Sequence, residues 1–283
     1  MRTKWFVFFF FLLVALATGI YLYQSIFSQT AIAGEGKFDF KIHDEASLDQ
    51  VIDSLTQEGL NHPKLFERLS RQMNYNDQTL KDGLYEIDRQ WSIITLIRHL
   101  LSGQQKPVSI TINSVRTVSD LVGKLTRNLE LDSLAFLQYL RDSSLIHDTT
   151  MTRFIPNTYS VYWNIGPKAL MSRMDYERKQ FFSKNNRLEK AKMVGLSPSQ
   201  VYTLASIVEM ESTLTSEKPQ IASVYLNRLK KGIKLQADPT VVFANGDFTI
   251  RRVLNIHLAL DSPYNTYKYE GLPPGPICMP SIS

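Results

Sequence analysis

Hydrophobic and polar positions alternate along this chain with periods that change every ten to twenty residues, and those changes mark its elements. Trp5 to Tyr23 is an uncharged run of 19 residues, interrupted only by Thr18 and Gly19 and preceded by Arg2 and Lys4. At ~1.5 Å per residue it matches a hydrocarbon core of ~30 Å, so the pattern predicts a transmembrane anchor over 5–23 with residues 1–4 cytoplasmic. The rival reading is a cleaved signal peptide, since Ala15-Leu16-Ala17 and Ala31-Ile32-Ala33 both have the Ala-x-Ala form. Either way the remainder is expected outside the cytoplasm. Residues 24–36 read as a polar linker.

Phe38-Asp39-Phe40-Lys41-Ile42 then alternates as a half-buried strand. Ser47 and Gln50 form a candidate capping box ahead of Leu48, Val51, Ile52 and Leu55 at helical spacing. A second short helix opens at Pro63, and Asp82-Gly83 turns the chain into a strand at Leu84–Ile87. A helix from Ile93 stops at Gly103, Val108–Ile112 alternates as another strand, and Thr117 with Asp120 caps a further helix. Residues 133–141 continue helically, Phe154–Tyr159 reads as a turn-rich aromatic segment, and 172–193 reads as one solvated, charged helix. The fold class expected is α+β: a transmembrane helix, a βααβ subdomain over 37–112 and a mixed catalytic domain over 113–283.

Candidate chemistry concentrates after Ser197. Ser197, Pro198 and Gln200 supply an N-cap, a first-turn proline and a capping-box partner. In the helix that follows, Val201, Leu204, Ala205, Ile207 and Val208 point broadly one way, and Glu211, three and four residues beyond Val208 and Ile207, joins that face. Glu209 falls off it, so the two acids cannot meet. Glu209 is expected to be solvated or ion-paired. Glu211 is expected to be partly desolvated, which favours a protonated carboxyl able to serve as a proton donor. Spacing alone leaves a second reading open, in which Glu211 merely ends an amphipathic helix. A second helix opens at Pro219 with Ile221, Val224, Tyr225 and Leu229 inward, Ile233–Gln236 alternates, and Asp238-Pro239-Thr240 reads as a turn. Ser262–Tyr267 and Gly271–Pro276 are rigid segments whose Tyr and Asn side chains suit sugar binding, or are two ordinary turns.

Composition narrows the choice. The chain has 283 residues, 43% hydrophobic and 21% charged, with a net charge of +5 that is dispersed rather than clustered. No basic tract interleaved with aromatics suggests a nucleic-acid partner. A single cysteine, Cys278, forbids an internal disulfide, and the five histidines lack ligand spacing, so no metal is expected.

The strings Leu204–Glu211, Ile221–Leu229, Leu235–Thr240, Tyr264–Tyr267 and Gly271–Ile277, in this order, resemble the endolytic murein transglycosylase family (MltG/YceG-like). The resemblance is dense over 197–280, and the βααβ unit looks like the LysM-like subdomain of that family. It implies a single-pass inner-membrane enzyme, a lyase that cuts within nascent peptidoglycan strands and limits their length, working beside penicillin-binding proteins or other synthases. Glu211, as the second Glu of the Glu-x-Glu string, takes the catalytic role, while Gln236, Asp238, Asn265 and Tyr267 would line the glycan cleft. Glu211 would protonate the oxygen between N-acetylmuramic acid and N-acetylglucosamine. It would then take the proton of the muramoyl C6 hydroxyl as that oxygen closes onto C1, leaving a 1,6-anhydro end without metal or cofactor. A hydrolytic muramidase, with Asp238 as the nearest second acid, and a non-catalytic glycan-binding scaffold are the alternatives. Asn113-Ser114 stands where many relatives carry Glu-Gly. Relatives also run on for several dozen residues past the position of Ser283, so the chain is expected to be partial.

Overall fold

The computed structural model describes residues 2–23 and 30–282, with side chains described over 10–21 in the first helix. It is a mixed α+β structure that divides into two compact units, residues 1–108 with 162–164 and residues 109–161 with 165–283.

The apolar N-terminal run forms helix α1 (Arg2–Tyr23), yet among the described residues no helix is long and apolar enough to cross a membrane. The transmembrane part of the expected fold class is therefore corrected. Part of the expected linker, 24–29, lies outside the described residues. Its later part is not a free linker: Ala31 and Ile32 are buried, and Ile32 bridges to Leu60.

In the first unit, β1 (Lys37–Ile42), α2 (Leu48–Gln57), α3 (Pro63–Gln72) and β2 (Gly83–Asp88) follow one another, then α4 (Ile93–Ser102). β1 and β2 pair antiparallel from Lys37 opposite Asp88 to Ile42 opposite Gly83. This register places Phe40 and Ile42 inward with Tyr85 and Ile87, against Leu55 and Phe66 from the helices. The outward face places Asp39 opposite Glu86, and Lys106 bonds both, at 2.7 and 3.2 Å, so the like charges are bridged.

The second unit holds a two-stranded sheet of β3 (Pro107–Ile112) and β4 (Asn157–Tyr162). Of β3, which the sequence reading placed in the first subdomain, residues 109–112 fall in the second unit and Pro107 and Val108 in the first. The aromatic segment read as turn-rich, Phe154–Tyr159, follows a short 3-10 turn (Thr150–Arg153) and runs into β4. Helices α5 (Val118–Thr126) and α6 (Ser133–Asp142) follow β3. The single helix expected over 172–193 is two, α7 (Pro167–Ser183) and α8 (Arg187–Met193). Asn185 and Asn186 between them adopt φ of 57° and 54°, a left-handed conformation that a helix interior cannot contain. Ser114 takes φ 47°, a left-handed backbone that glycine would adopt more readily.

The unit is completed by α9 (Pro198–Glu211), α10 (Lys218–Lys230), α11 (Asp238–Asn245) and the one-turn α12 (Asn255–Leu258). Asp238-Pro239-Thr240, read as a turn, opens α11: Pro239 sits in the first turn, where its missing N–H leaves no helical bond unmade. The terminal segment straps α9 down, with Ile277 N donating to Ser206 Oγ at 3.0 Å and Met279 N to Val115 O at 2.8 Å. The strap needs a glycine at 275, because a Cβ there would lie 2.0 Å from Asp148 O.

Helix α9 begins where the sequence pattern placed it. Gln200 N donates to Ser197 Oγ at 3.3 Å, and Ser197 N donates back to Gln200 Oε1 at 2.8 Å. Ser197→Ala is expected to cost about 1 kcal/mol of stability, and Ser197→Asp to be near neutral, read as the shift in urea-unfolding midpoint at constant m.

Candidate active site

Helix α9 is buried over a wide arc. Tyr202, Thr203 and Ser206 are covered as well as Leu204, Ile207 and Val208, and the Tyr202 hydroxyl donates to Phe154 O at 3.0 Å. The helix ends at Glu211, and Ser212 turns into extended backbone. The desolvation expected for Glu211 is therefore corrected: as the last helical residue it emerges from the packed portion and is exposed. Glu209 is ion-paired, with Lys218 Nζ at 2.7 Å and Ser281 donating from its backbone N at 3.2 Å and its hydroxyl at 2.8 Å.

Glu211 is exposed but held. The Tyr225 hydroxyl, from α10, donates to Glu211 Oε1 at 2.5 Å. The Tyr225 ring is 7% exposed and packs with Leu204, Ile207 and Val208, so the donor is carried on a side chain with little freedom to move. Burial first, and then the bond and charge of Glu211, push this phenol far above its ordinary value, so it stays protonated and donates.

Glu211 faces an open cavity of about 250 Å³, which Asp238 and Pro239 also line together with Arg116, Arg251 and the rings of Phe243 and Phe248. Asp238, first residue of α11, accepts from the Tyr267 hydroxyl at 2.6 Å. The Tyr267 phenol is pushed up to about 12 by burial, by its bond to Asp238 and by the charges of Asp238 and Glu211. Two carboxylates, each bonded by a tyrosine, thus sit around one cavity. Two guanidiniums supply positive charge beside them, and Arg116 lies 4.8 Å over the Phe248 ring.

The other residues nominated from sequence fall differently. Gln236 is exposed with φ 51°, and its Oε1 accepts from Arg228 Nη2 at 2.5 Å. Arginine can only donate, so the Gln236 carbonyl must face Arg228 and the amide NH2 is turned outward. Asn265 is fully buried. Its amide nitrogen donates to Leu258 O and Leu260 O at 3.0 and 2.8 Å, and its oxygen accepts from Tyr267 N at 3.1 Å. It holds the loop that presents Tyr267 and does not itself reach the cavity surface. The same loop pins the segment before α11: Ala237 N donates to Thr266 Oγ1 at 3.0 Å, and Gln236 N to Thr266 O at 3.1 Å.

Sequence reasoning placed Tyr225 in the core and passed over Arg116, Arg228, Arg251, Phe243 and Phe248. A signal existed only for Tyr225, since a tyrosine on an apolar stripe carries a hydroxyl that requires a partner when buried. Val224, expected inward beside it, is exposed.

The YceG-like family profile matches residues 40–283, and the chain belongs to that family. It is 27% identical over 278 residues to the endolytic murein transglycosylase of Streptococcus pneumoniae serotype 2, covering 85% of this chain and 50% of that protein. To the endolytic murein transglycosylase of Bacillus subtilis it is 49% identical over 88 residues, 31% of this chain and 24% of that protein. The chain thus spans half the length of the pneumococcal relative, and its match to the Bacillus protein is shorter. A crystal structure of a YceG-like protein from Listeria monocytogenes matches with a TM-score of 0.50 and 26% identity, over 87% of this chain and 86% of that one.

The ion pair beneath the site sets a pH dependence. Burial raises the Glu209 carboxyl, but the bonds and charge of Lys218 and the bonds from Ser281 outweigh it and hold the group below its ordinary 4.5. A lowered carboxyl stabilises the fold above the unfolded value and loses that contribution as pH falls through the folded one. Thermal unfolding followed downward from pH 7 is therefore expected to show a loss below about pH 4.5 that is smaller in Glu209→Gln; identical slopes would remove this pair from the account.

Proposed function

We propose that this chain is an endolytic peptidoglycan lytic transglycosylase of the cell wall, acting through the second unit with Glu211 as its acid and base. The observation that carries the reading is Glu211 at the mouth of a cavity with Asp238, two arginines and two phenylalanine rings, in a chain whose curated relatives bear that name. The un-ionised Glu211 carboxyl gives its proton to the glycosidic oxygen as the muramoyl C1–O bond breaks. Positive charge developing at C1 is relieved by the N-acetyl carbonyl of the substrate. The carboxylate then accepts the proton of the C6 hydroxyl while that oxygen bonds C1, closing the 1,6-anhydro ring. Atoms balance without water, so one carboxyl suffices and holding the C6 hydroxyl contributes through proximity. Gln236, with its NH2 turned outward, and Tyr267 and Asp238 are proposed to contact the glycan, and Asn265 to support them from behind. A synthase producing the strand, such as a penicillin-binding protein, is the partner this substrate suggests.

One observation favours a second reading. Asp238 lines the same cavity as Glu211, and a pair of carboxylates is what a hydrolytic muramidase needs to activate water. Mass spectrometry of digested glycan strands separates the two. Anhydro-muramoyl ends from the wild-type chain, reduced at least ~1000-fold in Glu211→Gln, are expected. Reducing ends favour hydrolysis, and no new ends leave only a binding role.

A further inference from the structure

We propose that Tyr225 is the positioning residue of the Glu211 carboxyl, and that it selects which carboxyl oxygen carries the transferable proton. The inference rests on the transglycosylase reading above and adds an atom-level assignment to it.

Glu211 ends its helix and is exposed. Left alone, such a side chain samples several rotamers, and immobilising it costs conformational entropy. A reaction that needs the proton within ~3 Å of a bridging oxygen would be slowed by that freedom. Among the described residues a side-chain hydrogen bond reaches Glu211 from Tyr225, whose ring is locked among Leu204, Ile207 and Val208. The donor therefore has a position set by the packing of α9 against α10, and it transmits that position to an exposed carboxyl.

The bond also differentiates the two oxygens. A protonated carboxyl has one O–H and one carbonyl oxygen. Tyr225 donates to Oε1, so Oε1 serves as the carbonyl oxygen and Oε2 bears the proton given to the glycosidic oxygen. After that transfer both oxygens share a negative charge, and the same phenol stabilises it through a charge-assisted bond. Oε2 then collects the C6 hydroxyl proton, so one atom performs both halves of the reaction while the other stays tied. The phenol neither gains nor loses a proton, since burial and the neighbouring Glu211 make it a much weaker acid than an ordinary tyrosine.

The test compares the full chain carrying Tyr225→Phe, Tyr225→3-fluorotyrosine or Glu211→Gln with wild type, reading anhydro-product rates across glycan concentration alongside thermal melts. Tyr225→Phe keeps the ring and its packing, so the melt is expected near wild type. Its kcat is expected to fall about 10- to 100-fold with KM within about twofold, because the lost contact matters during proton transfer rather than binding. The fluorinated tyrosine keeps the hydroxyl and is expected to retain kcat within about threefold. A role confined to packing predicts no kcat loss in the phenylalanine variant, and that result overturns the proposal, as does a rise in KM accounting for the whole loss. Wild-type rates in Tyr225→Phe beside an inactive Glu211→Gln reject the clamp alone. An unimpaired Glu211→Gln, or a wild-type chain yielding no anhydro ends, rejects the transglycosylase reading and the clamp together.

Discussion

The site depends on one short bond between a buried phenol and an exposed carboxylate. Helix α9 delivers Glu211 at its last turn, where the backbone leaves the packed region and the side chain meets solvent. Helix α10 delivers Tyr225 from the other side, with its ring in the core and its hydroxyl at the edge. Neither helix alone positions a reactive group. Rotation of α9 by one residue, about 100°, would carry the carboxyl away from both the phenol and the cavity.

Much of the second unit maintains that relation. The strap at 275–279 ties α9 through Ser206 and Cys278, and its close approach to Asp148 requires Gly275. Thr266, buried, bonds the backbone just before Asp238, and Asn265, also buried, bonds the backbone of Tyr267, whose hydroxyl donates to Asp238. Gln236 is held at a positive φ beside them, the sort of local strain that persists where surrounding bonds over-determine the backbone. Glu209 and Lys218 link the end of α9 to the start of α10. A site with exposed reactive groups thus rests on a shell of buried polar bonds, each satisfied by backbone or by a side chain of opposite character.

Legibility from sequence followed the range of the interactions. The caps at Ser47, Thr117 and Ser197 were readable because both partners lie within three residues. Strands β1 and β2 were readable, one as an alternating run and the other as the segment after an Asp-Gly turn, although their antiparallel pairing and register were not. The break at Asn185 and Asn186 was missed because asparagine tolerates helical and left-handed backbone alike. The turn reading of Asp238-Pro239-Thr240 failed for a related reason: Asp-Pro opens turns and first helical turns equally well, and α11 exists here because Thr240 and Val241 are buried. Apolar character alone made Trp5–Tyr23 read as a membrane span, whereas the described helices offer none long and apolar enough.

By itself the sequence determined the mixed α+β character and the starts of the helices capped at Ser47, Thr117 and Ser197, and it nominated Glu211, because these depend on periodicity and on neighbours a few positions away; the membrane-spanning helix it also suggested is not among the described helices. Only the tertiary structure decided that Glu211 would be exposed rather than desolvated, that Tyr225 would bond it, that Asp238 would share its cavity and that Asn265 would be buried. The bond and the shared cavity join Glu211 to residues 14 and 27 positions further along the chain. Helical period says which way a side chain leaves its own axis, but not what another element places in front of it.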